Sequence, residues 1–195
     1  MRPMNDAACD SAPSGAEWPA EEPPIAWRIR DVHGQLRAAL LRYPGKTFAW
    51  RGPDGRSSLG GVGVEHLPLY LTETLPRIPY DTLIVIVEGP KAADALRRQA
   101  IPVLATVTGA AGTPSREVLE VLRGRPVILW ADNDPVGREH MQRIGELLLN
   151  VAAEIWWIDT KGLLPLSGDA ADVPSGQLVD FLDMAMPFVA TRARA

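Results

Sequence analysis

Two short runs with almost no polar side chain constrain this chain more than any other feature: Leu83-Ile84-Val85-Ile86-Val87 and Pro126-Val127-Ile128-Leu129-Trp130. Each has the length of one strand. Neither alternates as a strand with one wet face would, so both read as buried on two sides. From about Asp81 such runs alternate with helical patterns. The spacing predicts strands at 82–87, 103–107, 126–131 and 154–159, and helices at roughly 90–100, 114–123, 135–150 and 176–186. The longest helix gathers Met141, Ile144, Leu147, Leu148 and Val151 on one face. Pro114 and Pro135 suit first helical positions, with Thr113 and Asp134 as N-caps. The pattern predicts an α/β fold with a mostly parallel sheet flanked by helices.

The chain ahead of this region reads differently. Residues 1–24 are rich in Ala, Pro, Ser and Glu and lack apolar periodicity, the composition of a disordered tail. Over 25–79 a small β-rich unit is expected. Trp27-Arg28-Ile29-Arg30 alternates, Val32-His33-Gly34-Gln35 reads as a turn, and Leu36 to Tyr43 as the returning strand. Thr47 to Arg51 forms a third strand, closed by the turn Gly52-Pro53-Asp54-Gly55. Within 25–61, seven basic residues (Arg28, Arg30, Arg37, Arg42, Lys46, Arg51, Arg56) face two acidic ones, Asp31 and Asp54. Trp27, Tyr43, Phe48 and Trp50 are interleaved with them. Such a mixture suits single-stranded nucleic acid, with cations along phosphates and aromatic rings under bases. It suits equally a hairpin with ordinary cross-strand aromatic packing. The α/β unit is expected over 80–188, with a short tail at 189–195.

The chemistry-bearing residues lie where the apolar strands end. Glu88 and Gly89 follow the first run, and Asp132-Asn133-Asp134 follows the third strand. In an open α/β sheet, the crevice outside the carboxyl ends of the strands is where ligands bind. Side chains two apart in an extended segment point the same way, so Asp132 and Asp134 can reach one site. Two or three carboxylates without sulfur or imidazole suit Mg²⁺. Gly168-Asp169-Ala170-Ala171-Asp172 offers further acids at the same edge. The backbone around Thr108 and Gly109, in a run of small residues before a helix, can face a phosphate, and Lys91 is a candidate phosphate contact. Each acid also has an ordinary structural reading: Asp134 and Glu88 as helix caps, Asp169 and Asp172 as turn residues. Their joint occurrence at successive strand ends favours a site.

Together these residues resemble the Toprim domain of primases, type IA and II topoisomerases, and OLD-type and RNase M5-like nucleases. The resemblance covers roughly 80–175. It rests on Val85-Ile86-Val87-Glu88-Gly89, Thr108-Gly109, Leu129 to Asp134 with Gly137, and Gly168 to Asp172. The string Val87-Glu88-Gly89-Pro90-Lys91-Ala92-Ala93-Asp94 is similar to primase-like members from phages and mobile elements, as is the segment from Trp50 to Tyr70. The resemblance implies a Toprim-like, Rossmann-like fold and Mg²⁺-dependent nucleotidyl transfer, with Mn²⁺ as a substitute. Glu88 would be the general acid/base, and Asp132 and Asp134 the metal ligands with Asp169 or Asp172. Gly89, Lys91, Thr108 and Gly109 would lie at the phosphate or nucleotide, and Arg28, Arg30, Arg42, Lys46, Trp50 and Arg51 at nucleic acid. Gly168 stands where many primase relatives carry a lysine.

Single-stranded DNA or RNA and nucleoside triphosphates are the implied partners. The net charge of −4 argues against a uniformly basic coat. Cys9 is the lone cysteine, which excludes a disulfide framework and fits a reducing, cytoplasmic setting. With His33, His66 and His140 scattered, the chain has no zinc-module ligand set, and no Walker A loop for a fused helicase. A separate helicase or zinc-binding primase module is therefore an implied partner. No apolar run approaches the ~20 residues of a membrane span, and no secretory signal opens the chain. Two other readings stand beside primer synthesis: a Toprim nuclease that directs water at a phosphodiester, and a non-catalytic nucleic-acid-binding subunit. A receiver domain would need an acidic pair after its first strand, where this chain has Glu88 and Gly89.

Overall fold

The computed structural model describes residues 24–190, except for the side chains of Lys46 and Ser175. The expected tails at 1–24 and 189–195 lie outside the described residues but for Pro24, Val189 and Ala190. The first element is a three-stranded antiparallel sheet of β1 (Ile25–Arg30), β2 (Leu36–Tyr43) and β3 (Thr47–Arg51), in that order. Asp31 shapes the first turn: its Oδ1 accepts from the amides of His33 and Gln35, both at 3.0 Å. Gly34 (φ 79°) provides the left-handed step there. The register aligns Trp27 with Leu40 and Leu40 with Trp50. Ile29 and Ala38 continue this row on the same face, and all five are buried.

The second sheet has five strands: β4 (Ile84–Val87), β5 (Val103–Ala105), β6 (Pro126–Trp130), β7 (Glu154–Ile158) and β8 (Met186–Pro187), in the order β5-β4-β6-β7-β8. The first four are parallel, and β8 runs antiparallel to β7. Every residue of β4 is buried, as are Val127 to Trp130 of β6, which is why their sequences show no alternation. Helices α1 (Pro90–Arg98), α2 (Arg116–Leu119), α3 (Pro135–Leu148) and α4 (Leu178–Asp183) connect or flank them. The chain passes from β4 outward to β5, then crosses back to β6 on the other side of β4. Strand order therefore reverses between β4 and β6, and the crevice opens at that switch point.

The helix expected at 114–123 is shorter, with α2 followed by a single 3₁₀ turn, Glu120–Leu122. Neither Pro114 nor Thr113 begins it. The Ser115 amide bonds to Glu65 O at 2.8 Å, and the Thr113 hydroxyl accepts from Arg143 Nε at 3.1 Å, so tertiary partners take the groups a cap would use. Asp134 does cap α3, accepting from the Gly137 amide at 2.8 Å, with Pro135 in the first turn.

The two sheets share one core, which includes Trp27, Ile29 and Trp50 as well as β4 and β6. A polar junction joins them. Trp27 Nε1 donates to Asp94 Oδ2 of α1 at 2.8 Å, and Tyr70 Oη donates to Asp94 Oδ1 at 3.0 Å. Among the described residues no helix is long and apolar enough to cross a membrane.

Candidate active site

Glu88 leaves the carboxyl end of β4, Asp132 and Asp134 follow β6, and the N-terminal turn of α3 closes over them. Gly137 makes this closeness possible: a Cβ there would lie 2.9 Å from Glu88 Oε2 and 3.0 Å from Asp132 Cβ. Only a residue without a side chain lets the helix sit this near both carboxylates. Glu88 Oε2 is itself buried without a hydrogen-bond partner. A buried carboxylate oxygen left unpaired is costly, so this atom needs an explanation beyond packing.

Charge accumulates here. Burial, reinforced by Asp134 and Asp169, pushes the Glu88 carboxyl up to about 7. Burial followed by repulsion from Glu88, Asp169 and Asp134 pushes Asp132 up to about 8. Asp134 goes the other way, held below the usual carboxylate range chiefly by the Gly137 amide. Three acids at one crevice thus differ in proton affinity, an arrangement that separates proton-carrying from permanently charged groups.

Asp169 and Asp172 stand as capping and ion-pairing residues rather than as open metal ligands. Asp169 Oδ1 accepts from the Ala171 amide at 2.6 Å, and Asp172 Oδ2 accepts from the Asp169 amide at 2.9 Å, a reciprocal capping box. Lys91 Nζ lies 3.1 Å from Asp169 Oδ2 and 3.8 Å from Asp172 Oδ1. Lys91, expected at a phosphate, is therefore engaged with these two acids. Among the described residues no three acidic, imidazole or thiol groups converge closely enough to hold a cation on their own. Asp132 and Asp134, with Glu88 beside them, nonetheless carry the oxygen donors that suit an ion which keeps several waters, as Mg²⁺ does.

Gly89 is the N-cap of α1 at the rim. Thr108 has a buried hydroxyl without a partner, and Gly109 takes a left-handed φ of 66°. Both belong to the loop gripped by α3, where Arg143 Nη2 donates to Ala110 O at 2.7 Å. The segment between β7 and α4 is anchored by Asn133, whose Nδ2 donates to Leu164 O at 2.6 Å and Pro165 O at 3.1 Å.

The basic residues of the small sheet divide. Arg28 and Arg51 are exposed and both align with Ala39, so they project from one face of the sheet. Arg30 Nη1 donates to Gly34 O at 2.7 Å and Arg51 Nη1 to Gly55 O at 2.9 Å, which braces the two turns. Arg42 is half-buried opposite Phe48, and the Lys46 side chain lies outside the described residues. Trp50 corrects the expectation of a stacking platform: its ring is packed in the core with Leu40 and Trp27, so it presents no face to a base. Sequence reasoning misses Thr106 and His140, both fully buried against this site. A histidine on the apolar stripe of α3 is the one signal that could have found them.

Solved structures of primase catalytic cores have a similar fold. The E. coli primase catalytic core matches with TM-score 0.63 at 18% identity, over 84% of this chain and 53% of that one. A DnaG primase catalytic domain bound to ssDNA gives 0.63 at 17%, over 84% and 53%. The Aquifex aeolicus primase, with zinc-binding and RNA polymerase domains, gives 0.63 at 18%, over 85% and 41%. The chain thus spans about half the length of the first two of these structures and less of the third. No family model matches the sequence, and no curated protein matches it.

Proposed function

We propose that this chain is a primase-like Toprim module that performs Mg²⁺-dependent nucleotidyl transfer on single-stranded nucleic acid during replication. The observation that carries the reading is the crevice between β4 and β6, where Glu88 and Asp132 crowd α3 at Gly137 and one buried carboxylate oxygen has no partner. Asp132 and Asp134 would hold the ion, which would supply positive charge against the negative charge that develops at the phosphates. Glu88, with a proton affinity near neutral, suits the general base that takes the proton from an attacking 3′-hydroxyl. The hydroxyl oxygen then forms a bond to the α-phosphorus of a nucleoside triphosphate, and the bond to pyrophosphate breaks. Asp169 and Asp172 keep Lys91 at the rim, where its charge tempers the acidic cluster. Arg28, Arg51 and Arg42 would guide the template along the outer sheet. A helicase or zinc-binding module acting as a separate partner belongs to the reading. So do a cytoplasmic setting and an origin in a phage or mobile element.

The test is to incubate the protein with Mg²⁺ or Mn²⁺, nucleoside triphosphates and single-stranded DNA. Primer synthesis abolished by Glu88→Gln is the expected result. Shortening of the DNA would instead indicate the nuclease chemistry. Full activity in Glu88→Gln would overturn the role given to that residue, and template binding without turnover would indicate a non-catalytic subunit.

A further inference from the structure

His140 lies one turn beyond Gly137 on α3, at a position where a purely structural helix would carry an apolar residue. It is fully buried, as is its neighbour Thr106. Two polar side chains this deep are costly unless bonded. Their bonds tie together three separate segments. Thr106 Oγ1 donates to the main-chain oxygen of Glu88 at 2.8 Å and lies 3.0 Å from His140 Nε2. His140 Nδ1 lies 2.9 Å from Gly112 O. One turn further along, Arg143 holds Ala110 O at 2.7 Å and the Thr113 hydroxyl at 3.1 Å.

We propose that His140 and Thr106 form a positioning pair that fixes Glu88 and the 108–113 loop relative to the N-terminal turn of α3. This inference rests on the role given to Glu88 above, and it adds two residues that act through the backbone of Glu88 and of the loop. The pair has too few protons for all its bonds, and so does more than fill space. Burial holds the imidazole neutral, with its proton affinity lowered to about 4, so the ring carries a single N–H. When Nδ1–H donates to Gly112 O, Nε2 can only accept, and the one Thr106 proton must serve either His140 or Glu88 O. When Nε2–H donates to Thr106, the hydroxyl is free to hold Glu88 O, and the bond to Gly112 is lost. The tautomer therefore sets whether the loop clamp can close, and with the proton on Nδ1 the direction of the single Thr106 proton sets whether Glu88 O is held or His140 is bonded. An apolar pair of equal volume would pack as well and clamp neither.

The test compares Thr106→Val, which keeps the shape and removes the hydroxyl, with Thr106→Ser, which restores it. Amide hydrogen exchange of the full chain, without metal or nucleotide, reads the clamp directly. The Thr106 amide, bonded to Val87 O at 3.0 Å, and the Gly112 amide, bonded to Gly109 O at 3.1 Å, are the reporters. Thr106→Val is expected to speed their exchange roughly tenfold, leave β7 unchanged, and be reversed by Thr106→Ser. In primer synthesis, the same variant is expected to lower kcat on the order of tenfold with little change in KM for nucleotide, again rescued by serine. Unchanged local exchange overturns the proposal, as does altered exchange with an unchanged kcat in an active protein. If the wild type makes no primers while local exchange responds as expected, the clamp stands and the proposed function fails.

Discussion

Replacing Asp132 by Asn should make the metal-free protein more stable at alkaline pH, although it removes a residue proposed for the active site. The Asp132 carboxyl titrates near 8 in the folded protein against 3.8 for an unperturbed aspartate, because burial and then Glu88, Asp169 and Asp134 oppose its charge. A folded pKa raised in this way gives stability that is complete below about 3.8 and lost as pH rises through about 8. Every tenfold change in proton affinity is worth about 1.4 kcal/mol. Glu88 carries part of the same repulsion, and water at the crevice mouth screens more of it. A single substitution therefore releases about 2 kcal/mol near pH 8, and little near pH 4. For a chain of this size that is roughly a 4–8 °C rise in Tm. Thermal unfolding followed by circular dichroism at both pH values, with and without Mg²⁺, measures it. Wild type should gain stability from Mg²⁺ at the higher pH, and the variant should gain little. A variant less stable than wild type at the higher pH in metal-free buffer would refute the reasoning.

Gly137→Ala places a methyl group 2.9 Å from Glu88 Oε2, so it should cut primer synthesis by roughly 10²-fold through misplacement of the base while the protein still folds, as activity and circular dichroism together will show. His140, neutral in the fold with an affinity lowered to about 4 against 6.5, contributes stability that is complete above 6.5 and is lost as pH falls toward about 4. His140→Gln should flatten that part of a stability–pH curve measured in urea. Asp94→Ala strands the Trp27 N–H and the Tyr70 hydroxyl, so a loss of about 1–3 kcal/mol in denaturant unfolding is expected. Arg28→Ala with Arg51→Ala should weaken single-stranded DNA binding and flatten its salt dependence by about one unit per lost phosphate contact. Trp50→Ala should instead lower stability by about 3–5 kcal/mol, because that ring belongs to the core.

The sheet and the carboxylate cluster are legible in the sequence because their causes are local. Burial on two sides leaves β4 and β6 with no polar positions, and Pro135 behind Asp134 announces the start of α3. The faces of the small sheet are only half legible: alternation sorts Trp27 and Trp50 from Arg28 and Arg51 but does not say which face another element covers. Asp169 and Asp172 read both as ligands and as turn residues, because a short acidic segment at a strand edge suits either; their reciprocal capping box and the approach of Lys91 appear only in three dimensions. His140 stays hidden because its partners, Thr106 and Gly112, lie in a distant loop and give no signal in the periodicity of α3.

The junction of Trp27 and Tyr70 on Asp94 has a mechanical consequence. Asp94 sits on α1, and α1 begins two residues after Glu88. The three-stranded sheet and the acidic crevice are thereby fastened to the same short rod. A polynucleotide strand resting on that sheet would be held at a set distance from the carboxylates, as by a ruler, and any tilt of the sheet would reach the crevice directly.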